Sequence, residues 1–316
     1  MRIVITGGLG MLGTELARRL RSTRPGDELL LLDMPAALAP PADLADVHVL
    51  RGDIRDADLL REALDSPEVA VVHLASVVSG GAERDFDAAL EVNLDGGRAL
   101  VAACRAHGGA PRLVFTSSLA VFGGELALGP VDDDTRTTPA TTYGATKAML
   151  ELLFADATRK GFLDARSARP PTVVVRPGAP NAAASSFASA VVREPLAGRP
   201  TTLPVGLDVP AAVIGVDTAV GCLARLLEVD GDALGSGRAL NLPGLVTTAG
   251  ELLAALQAAV DPATLAPVTV EVDPAVEAMV RGWPTGWSSP RADALGLPRD
   301  RDAAEIVSAY LRRIGR

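Results

Sequence analysis

The feature that most constrains the fold is a glycine-rich turn placed directly after the first apolar run of the chain. Arg2–Thr6 reads as a short strand, the run GGLGMLG at 7–13 follows at once, and an amphipathic stretch comes next. Gly7 allows a tight turn, Gly10 allows the backbone to approach a pyrophosphate, and Gly13 allows the helix to pack closely on the strand. The pattern predicts a dinucleotide-binding loop, and a ligand-free turn between strand and helix is the alternative.

Short apolar runs alternate with helical stretches through the first half of the chain. The runs lack polar alternation, which is typical of strands covered on both faces, and helices between parallel strands cross over with a right hand. We therefore expect an α/β fold with a Rossmann-like, doubly wound parallel sheet. The expected strands are Arg2–Thr6, Glu28–Asp33, Val47–Arg51, Val69–Leu74, Arg112–Thr116 and Thr172–Arg176. The expected helices are Met11–Arg21, Asp56–Leu64, Glu83–Ala106, Thr142–Arg159, Val216–Glu228 and Thr248–Val260.

The alternation loosens after residue 176, where an Ala/Ser-rich segment and several prolines follow. We expect residues 1–176 to form a dinucleotide-binding domain, to which 211–243 returns. Residues 177–210 and 244–316 are expected to form a smaller, mixed α/β region that covers the substrate.

Charge and cysteine content narrow the classes of partner and compartment. The chain carries 39 acidic and 30 basic side chains, a formal charge of -9, which disfavours binding to a nucleic acid or to an anionic membrane. It has no run of eighteen apolar residues and no signal-peptide core, so we expect a cytosolic protein. Cys104 and Cys222 lie far apart in helical patterns, which favours buried thiols over a disulfide or a metal site.

An aspartate ends the second predicted strand, twenty residues beyond the last glycine of the loop. Asp33 follows the leucine run Leu29–Leu32, where a carboxylate can accept hydrogen bonds from both ribose hydroxyls and would repel a 2′-phosphate. No lysine or arginine lies in the glycine loop or directly after Asp33. The sequence therefore predicts NAD as the cofactor, rather than NADP.

The glycines are spaced GxxGxxG rather than GxGxxG, and in this the chain resembles the extended branch of the short-chain dehydrogenase/reductase superfamily. Arg51–Ile54 and His73–Ser76 match that branch in order. The resemblance implies that Asp53 meets the adenine amino group, although Asp53 taken alone is equally well a helix N-cap. The implied cofactor contacts are Gly7, Gly10, Met11, Leu12, Gly13, Asp33, Asp53, Ile54, Leu74, Ala75, Ser76, Tyr143, Lys147 and Pro177.

The strongest group of candidate catalytic residues is Ser118, Tyr143 and Lys147. Tyr143 and Lys147 are one helical turn apart and share a face, and Ser118 precedes Tyr143 by 25 residues. A free tyrosine titrates near pH ~10, so a base that works near neutrality needs about 4 kcal/mol of differential stabilisation. The Lys147 ammonium and the positive nicotinamide of NAD⁺ can supply much of it, while Ser118 orients the substrate hydroxyl. The resemblance adds Asn93 as the fourth member of the catalytic set, holding a water that relays protons from Lys147.

The segment from about residue 115 to 196 narrows the expected reaction. It resembles the D-erythronate dehydrogenases, which oxidise a four-carbon sugar acid at its C2 hydroxyl, and this implies NAD-dependent oxidation of a short aldonate with Tyr143 as base. Leu119-Ala120 stands where the dehydratases of the superfamily carry an Asp-Glu pair, so dehydration is disfavoured. A sugar-nucleotide 4-epimerase with tightly held NAD remains the alternative enzyme. A cofactor-binding sensor is the non-enzymatic alternative, against which the intact catalytic set argues.

A sugar acid needs a cationic or donor-rich anchor for its carboxylate. Arg176 and Arg193 are the candidate cations, and Asn181 and Ser185 are further candidate substrate contacts. Three of these four residues also have a purely structural interpretation. Arg176 can be buried at a strand end against a carboxylate, Arg193 can be a solvated helix residue, and Ser185 can cap a helix.

The resemblance also implies a homodimer, because members of this superfamily commonly pair two long helices into a four-helix interface. The corresponding helices here are Glu83–Ala106 and Thr142–Arg159. Their apolar residues at helical spacing are the candidates for that interface, unless they face the chain's own sheet. They include Leu90, Leu94, Leu150 and Phe154.

Overall fold

The computed structural model describes residues 1–124, 129–178 and 184–316. Contacts divide the chain into two compact units. The first unit comprises Met1–Val121, Thr141–Arg169 and Val220–Leu240, and the second comprises Phe122–Ala140, Pro170–Ala219 and Asn241–Arg316.

Strands and helices alternate along the described chain. The strands are β1 (Arg2–Thr6), β2 (Glu28–Asp33), β3 (His48–Arg51), β4 (Val69–His73), β5 (Arg112–Thr116), β6 (Pro130–Val131), β7 (Asp164–Arg169), β8 (Thr172–Val174), β9 (Thr201–Leu203), β10 (Pro210–Gly215), β11 (Ala239–Asn241), β12 (Leu245–Thr248), β13 (Val268–Val270) and β14 (Gly286–Trp287). The α-helices are α1 (Met11–Thr23), α2 (Ala57–Ala63), α3 (Ser79–Arg84), α4 (Phe86–Ala89), α5 (Gly96–His107), α6 (Thr142–Arg159), α7 (Phe187–Leu196), α8 (Val216–Leu226), α9 (Ala249–Ala259), α10 (Pro274–Arg281), α11 (Pro290–Ala294) and α12 (Ala303–Arg313).

A seven-stranded, mostly parallel sheet organises the first unit, in the order β11-β7-β5-β4-β1-β2-β3. The strand β1 lies at the point where the strand order reverses, and it pairs in parallel with β2 on one side and β4 on the other. Its residues Ile3 and Ile5 are fully buried, because helices cover both faces of such a sheet. The expected Rossmann-like α/β architecture is confirmed.

The prediction of Thr172–Arg176 as the sixth strand of this sheet is wrong. Asp164–Arg169 occupies that place as β7, beside β5, whereas Thr172–Val174 pairs with β10, which also pairs with β12, in a three-stranded sheet of the second unit. The sequence did not indicate a strand at β7 because this segment contains arginines, which are rare in a central strand. Both are buried with acidic partners, Arg166 against Asp164 and Arg169 against Glu151.

The helix expected at Glu83–Ala106 is interrupted. Asp85 caps α4 by accepting from Ala88 N, and a π-helical stretch, Leu90–Asp95, joins α4 to α5. This stretch carries Asn93.

Two residues expected at a dimer interface lie in the chain's own core. Leu150 and Phe154 on α6 are 1% and 0% exposed and pack in the core of the first unit, so they are wrong as interface residues. Leu90 and Leu94 are half-buried.

The second unit has its own core. Buried aliphatic residues of α7, α9, α12 and β10 pack together there, and two further two-stranded sheets pair β13 with β9 and β14 with β6. In the acidic turn 132–134, Asp132 and Asp134 are exposed, whereas the buried Asp133 accepts from the backbone nitrogens of Asn241 and Arg291.

Cys104 and Cys222 are buried and not disulfide-bonded, as expected, and burial raises the pKa of Cys104 to about 12. Among the described helices, none has the length and apolar character needed to cross a membrane.

We expect Gly13→Ala to destabilise the first unit. A Cβ at Gly13 would lie 2.6 Å from the carbonyl oxygens of both Gly7 and Gly8, and these are backbone atoms that cannot rotate away. This overlap should outweigh the better helix propensity of alanine and lower the thermal midpoint by about 3 °C or more. The matched control is Gly26→Ala, where a Cβ meets nothing within 4 Å and the midpoint should stay within about 1 °C. Equal midpoints for the two variants would contradict the packing argument.

Candidate active site

The structure brings Ser118, Tyr143 and Lys147 together in the first unit. Ser118 follows the carboxyl end of β5, and its Oγ accepts from Ala120 N at 3.1 Å as the chain turns. Helix α6 begins at Thr142, capped by the side chain of Thr141, so that Tyr143 and Lys147 lie on its first turns. The Ser118 hydroxyl is near enough to Tyr143 to act on the pKa of its phenol, which it lowers.

Lys147 is buried, and its amine is held by the strand that precedes Ser118. Its Nζ donates to Thr116 O at 2.8 Å and lies 4.7 Å from the centre of the Phe115 ring. The same atom lies 5.4 Å from the centre of the Tyr143 ring. Lys147 is thus placed to act on the tyrosine electrostatically.

Burial shifts both groups away from their usual titration ranges. Burial raises the pKa of Tyr143 to about 12, although the nearby Ser118 hydroxyl acts to lower that pKa. Burial also lowers the pKa of Lys147 to about 7, opposed by the negative charge of Glu151. Tyr143 is therefore not a base at neutral pH unless further positive charge enters the site.

The glycine loop fits a dinucleotide phosphate. The amino end of α1 has no side-chain cap, and Met11 and Leu12 are half-buried there, so the backbone of the first turn is open to an anion. Gly7 has a φ of +66°, and a Cβ at that position would lie 2.8 Å from Ala75 N, so the loop packs directly on the chain after β4.

The glycine loop orients the Asp33 carboxylate. Its Oδ2 accepts from Leu9 N and its Oδ1 from Met34 N, both at 2.8 Å. Arg51 lies opposite Asp33 in the pairing of β2 with β3, a proximity that the sequence did not reveal. Its guanidinium donates to the carbonyl oxygens of Ala37 and Leu38 and so orders the segment after Asp33.

The other candidate cofactor contacts have protein partners of their own. Asp53 binds Arg55, and Asp56, not Asp53, caps α2, so the N-cap alternative for Asp53 is wrong. Ile54 is buried. After β4, Leu74 N donates to Thr6 O.

Asn93 is buried and makes four hydrogen bonds to the protein. Its Oδ1 accepts from Val77 N and Ser76 Oγ, and its Nδ2 donates to Val77 O and Thr146 Oγ1. It therefore ties the segment after β4 to the turn of α6 that carries Lys147. These bonds give Asn93 a bracing role, whereas the water relay stays a prediction.

The two candidate anchors for a carboxylate have different surroundings in the second unit. Arg193 is buried, pairs with Glu194 and donates to Arg176 O, so its solvated alternative is wrong. Arg176 is half-buried, and its guanidinium donates to Ser185 Oγ at 3.1 Å. Among the described residues, no carboxylate pairs with Arg176, and burial with the nearby charge of Arg193 lowers its pKa. Pro177 is exposed, and Asn181 lies outside the described residues.

Sequence reasoning missed a buried network beside Lys147. Ser117 Oγ donates to Glu151, and Glu151 pairs with Arg169. The available signal was the position of Glu151, four residues after Lys147 and on the same helical face.

Several known proteins are similar to this chain over its whole length. A D-erythronate dehydrogenase of Cupriavidus necator is 45% identical over 325 residues, which cover 100% of this chain and 99% of that protein. One of Haemophilus influenzae is 36% identical and covers 98% of this chain and 99% of its own length. The crystal structure of the nucleoside-diphosphate-sugar epimerase from Agrobacterium tumefaciens has a TM-score of 0.89 and 37% identity, covering 100% of this chain and 95% of that one. Residues 3–230 match the model of the NAD dependent epimerase/dehydratase family. The resemblance is therefore confirmed, and the chain belongs to this family.

Proposed function

We propose that this chain is an NAD-dependent dehydrogenase that oxidises the C2 hydroxyl of a short sugar acid, D-erythronate or a similar aldonate, to the 2-oxo acid. The observation that carries the proposal is the end-to-end identity of 45% with a D-erythronate dehydrogenase. The assembled Ser118, Tyr143 and Lys147 give the chain the groups that such a reaction needs.

Tyr143 removes the proton from the C2 hydroxyl, and Ser118, which acts on the same phenol, orients the same oxygen. The glycine loop and Asp33 would hold NAD⁺, which when bound would supply the hydride acceptor and a positive charge. The Lys147 ammonium, 5.4 Å from the centre of the Tyr143 ring, stabilises the phenolate. Lowering the pKa of Tyr143 from about 12 toward neutrality requires roughly 7 kcal/mol of such stabilisation.

Arg176 anchors the substrate carboxylate in this proposal. Its partner Ser185 is neutral, so the guanidinium keeps its charge and most of its donors for an anion. Arg193 is already paired with Glu194 and fixes the backbone of Arg176, so we assign it a supporting role.

A sugar-nucleotide 4-epimerase is the second candidate. It is favoured by the Agrobacterium tumefaciens epimerase structure, which is 37% identical over the whole of this chain. An epimerase returns the hydride to its substrate and so uses the same Tyr143, Ser118 and Lys147 without net reduction of NAD⁺.

We also propose that the chain is a cytosolic homodimer. Two buried cysteines without a disulfide suit a reducing compartment. On α6 the apolar side chains left exposed are Met149 and Leu152, and these replace Leu150 and Phe154 as the contacts we expect in a helical dimer interface.

The first test is the reaction. Purified chain with NAD⁺ and D-erythronate should give a steady rise in absorbance at 340 nm, because NADH is released at each turnover. Tyr143→Phe, which lacks only the hydroxyl, should lower kcat by about 10²–10⁴-fold while NAD⁺ binding persists. A panel of C4–C6 aldonates and UDP-sugars separates the candidates. Interconversion of a UDP-sugar pair without any aldonate oxidation would establish the epimerase instead.

The second test is the cofactor preference. We expect NAD⁺ to exceed NADP⁺ by at least about tenfold in kcat/KM, because a 2′-phosphate would lie against the Asp33 carboxylate. Asp33→Asn keeps an acceptor for Leu9 N but removes the charge, and should reduce the preference by about tenfold. The control is Asp58→Asn on the exposed face of α2, which should leave the preference unchanged. Equal use of both cofactors by the parent would refute the role of Asp33.

The third test is the carboxylate anchor. Arg176→Met should raise KM for D-erythronate about 10–100-fold and leave KM for NAD⁺ within about twofold, because a charge-assisted pair is lost only from the substrate. Arg176→Lys should recover part of that loss. The matched control is Arg199→Met, an exposed arginine of the same unit. If Arg176→Met and the control have the same KM for D-erythronate, the anchor lies elsewhere.

A further inference from the structure

A buried ion pair lies one helical turn beyond Lys147. The Glu151 and Arg169 side chains are 6% and 7% exposed, and Arg169 donates to both carboxylate oxygens of Glu151, at 2.9 Å and 2.7 Å. Ser117 Oγ donates to Glu151 Oε1 at 2.5 Å. Burying two charges is costly unless their geometry is well satisfied, and nothing in the reaction outlined above accounts for such a pair at this place.

The pair joins the three elements that build the catalytic set. Ser117 lies at the end of β5, between Thr116, which holds Lys147, and Ser118. Glu151 lies on α6, and Arg169 ends β7, where Ser117 N also donates to Ala168 O at 2.7 Å. Glu151 thus fixes the end of β5 against the helix that carries Tyr143 and Lys147.

Glu151 also supplies the negative charge that acts on Lys147. The groups that face the lysine amine are Thr116 O and the Phe115 ring on β5, Tyr143 on α6, and His73 on β4. His73 is neutral, because burial, with the Lys147 charge as a smaller cause, lowers its pKa to about 3. Within the described chain, Lys147 has no ion-pair partner, and Glu151 is the carboxylate whose charge raises the pKa of Lys147.

We propose that Glu151 is a positioning residue of the tyrosine–lysine pair: through Ser117 and Arg169 it holds β5 and α6 in register, and its charge favours the ammonium form of Lys147. The proposal rests on the roles assigned to Tyr143 and Lys147, and not on which aldonate is oxidised.

The composition of the chain permits a test that does not depend on turnover. Lys147 and Lys160 are its only two lysines. With ¹³C-labelled lysine and Lys160→Arg as background, a single side-chain signal reports the protonation of Lys147. We expect Glu151→Gln to lower the pH midpoint of that signal by at least about half a unit, because the stabilising negative charge is gone. An unchanged midpoint would overturn the charge role.

Two variants separate charge from position. Ser117→Ala keeps the carboxylate and should leave the midpoint within about 0.2 units while lowering kcat roughly threefold or more. Asp156→Asn removes a carboxylate from the exposed face of α6 and should change neither the midpoint nor kcat. Parent-like kcat in Ser117→Ala would overturn the positioning role.

Folding and substrate identity are controlled separately. Because Glu151→Gln leaves Arg169 unpaired, the double variant Glu151→Gln/Arg169→Met repeats the titration without an unpaired charge. A smaller shift in the same downward direction is expected, because loss of the Arg169 charge offsets part of the change. If neither of these variants folds, Ser117→Ala decides the proposal by its kcat. With an active parent, the basic limb of kcat/KM should move to lower pH in Glu151→Gln, whereas a purely structural defect would scale the whole profile. A parent inactive on every aldonate refutes the proposed function, while the lysine titration still tests Glu151.

Discussion

The burial of one amine is the constraint on which the catalytic arrangement depends. Lys147 has a backbone carbonyl and aromatic rings for neighbours, and an ammonium removed from water is costly unless such partners are held in place. Thr116 can be that partner because β5 pairs with β7 through Thr116 and Ala168, which fixes where the strand ends. The chemistry of Tyr143 therefore depends on how β5, β7 and α6 pack, because that packing holds Lys147 in place.

The same burial ties the chemistry to the cofactor. The pKa of Tyr143 is raised to about 12 and that of Lys147 is lowered to about 7, so near neutrality the tyrosine holds its proton while Lys147 is close to its own midpoint. A positive charge entering the site changes this balance in favour of the phenolate. In the proposed mechanism bound NAD⁺ would contribute that charge, so Tyr143 would become a base only with the cofactor present.

Much of the first unit was predictable from sequence, since β1, β2, β5 and α6 have the expected bounds and Ser118, Tyr143 and Lys147 meet as their spacing indicates. The failures share a physical cause. Strand β7 was missed because Arg166 and Arg169 look like surface residues until their contacts on other elements are known. Arg166 donates to the carbonyl oxygen of Val229, and Arg169 pairs with the buried Glu151 on α6. Leu150 and Phe154 were misplaced because helical spacing reveals an apolar face but not what covers it.

The residues assigned to chemistry and to substrate recognition belong to different units of the chain. Ser118, Tyr143 and Lys147 lie in the first, with the buried network that braces them, whereas Arg176 and Ser185 lie in the second, which has a separate core. We therefore expect substitutions around Arg176 to leave the register of β5, β7 and α6 in place. Such a division would let a lineage change its substrate while it inherits Tyr143 and Lys147 unaltered.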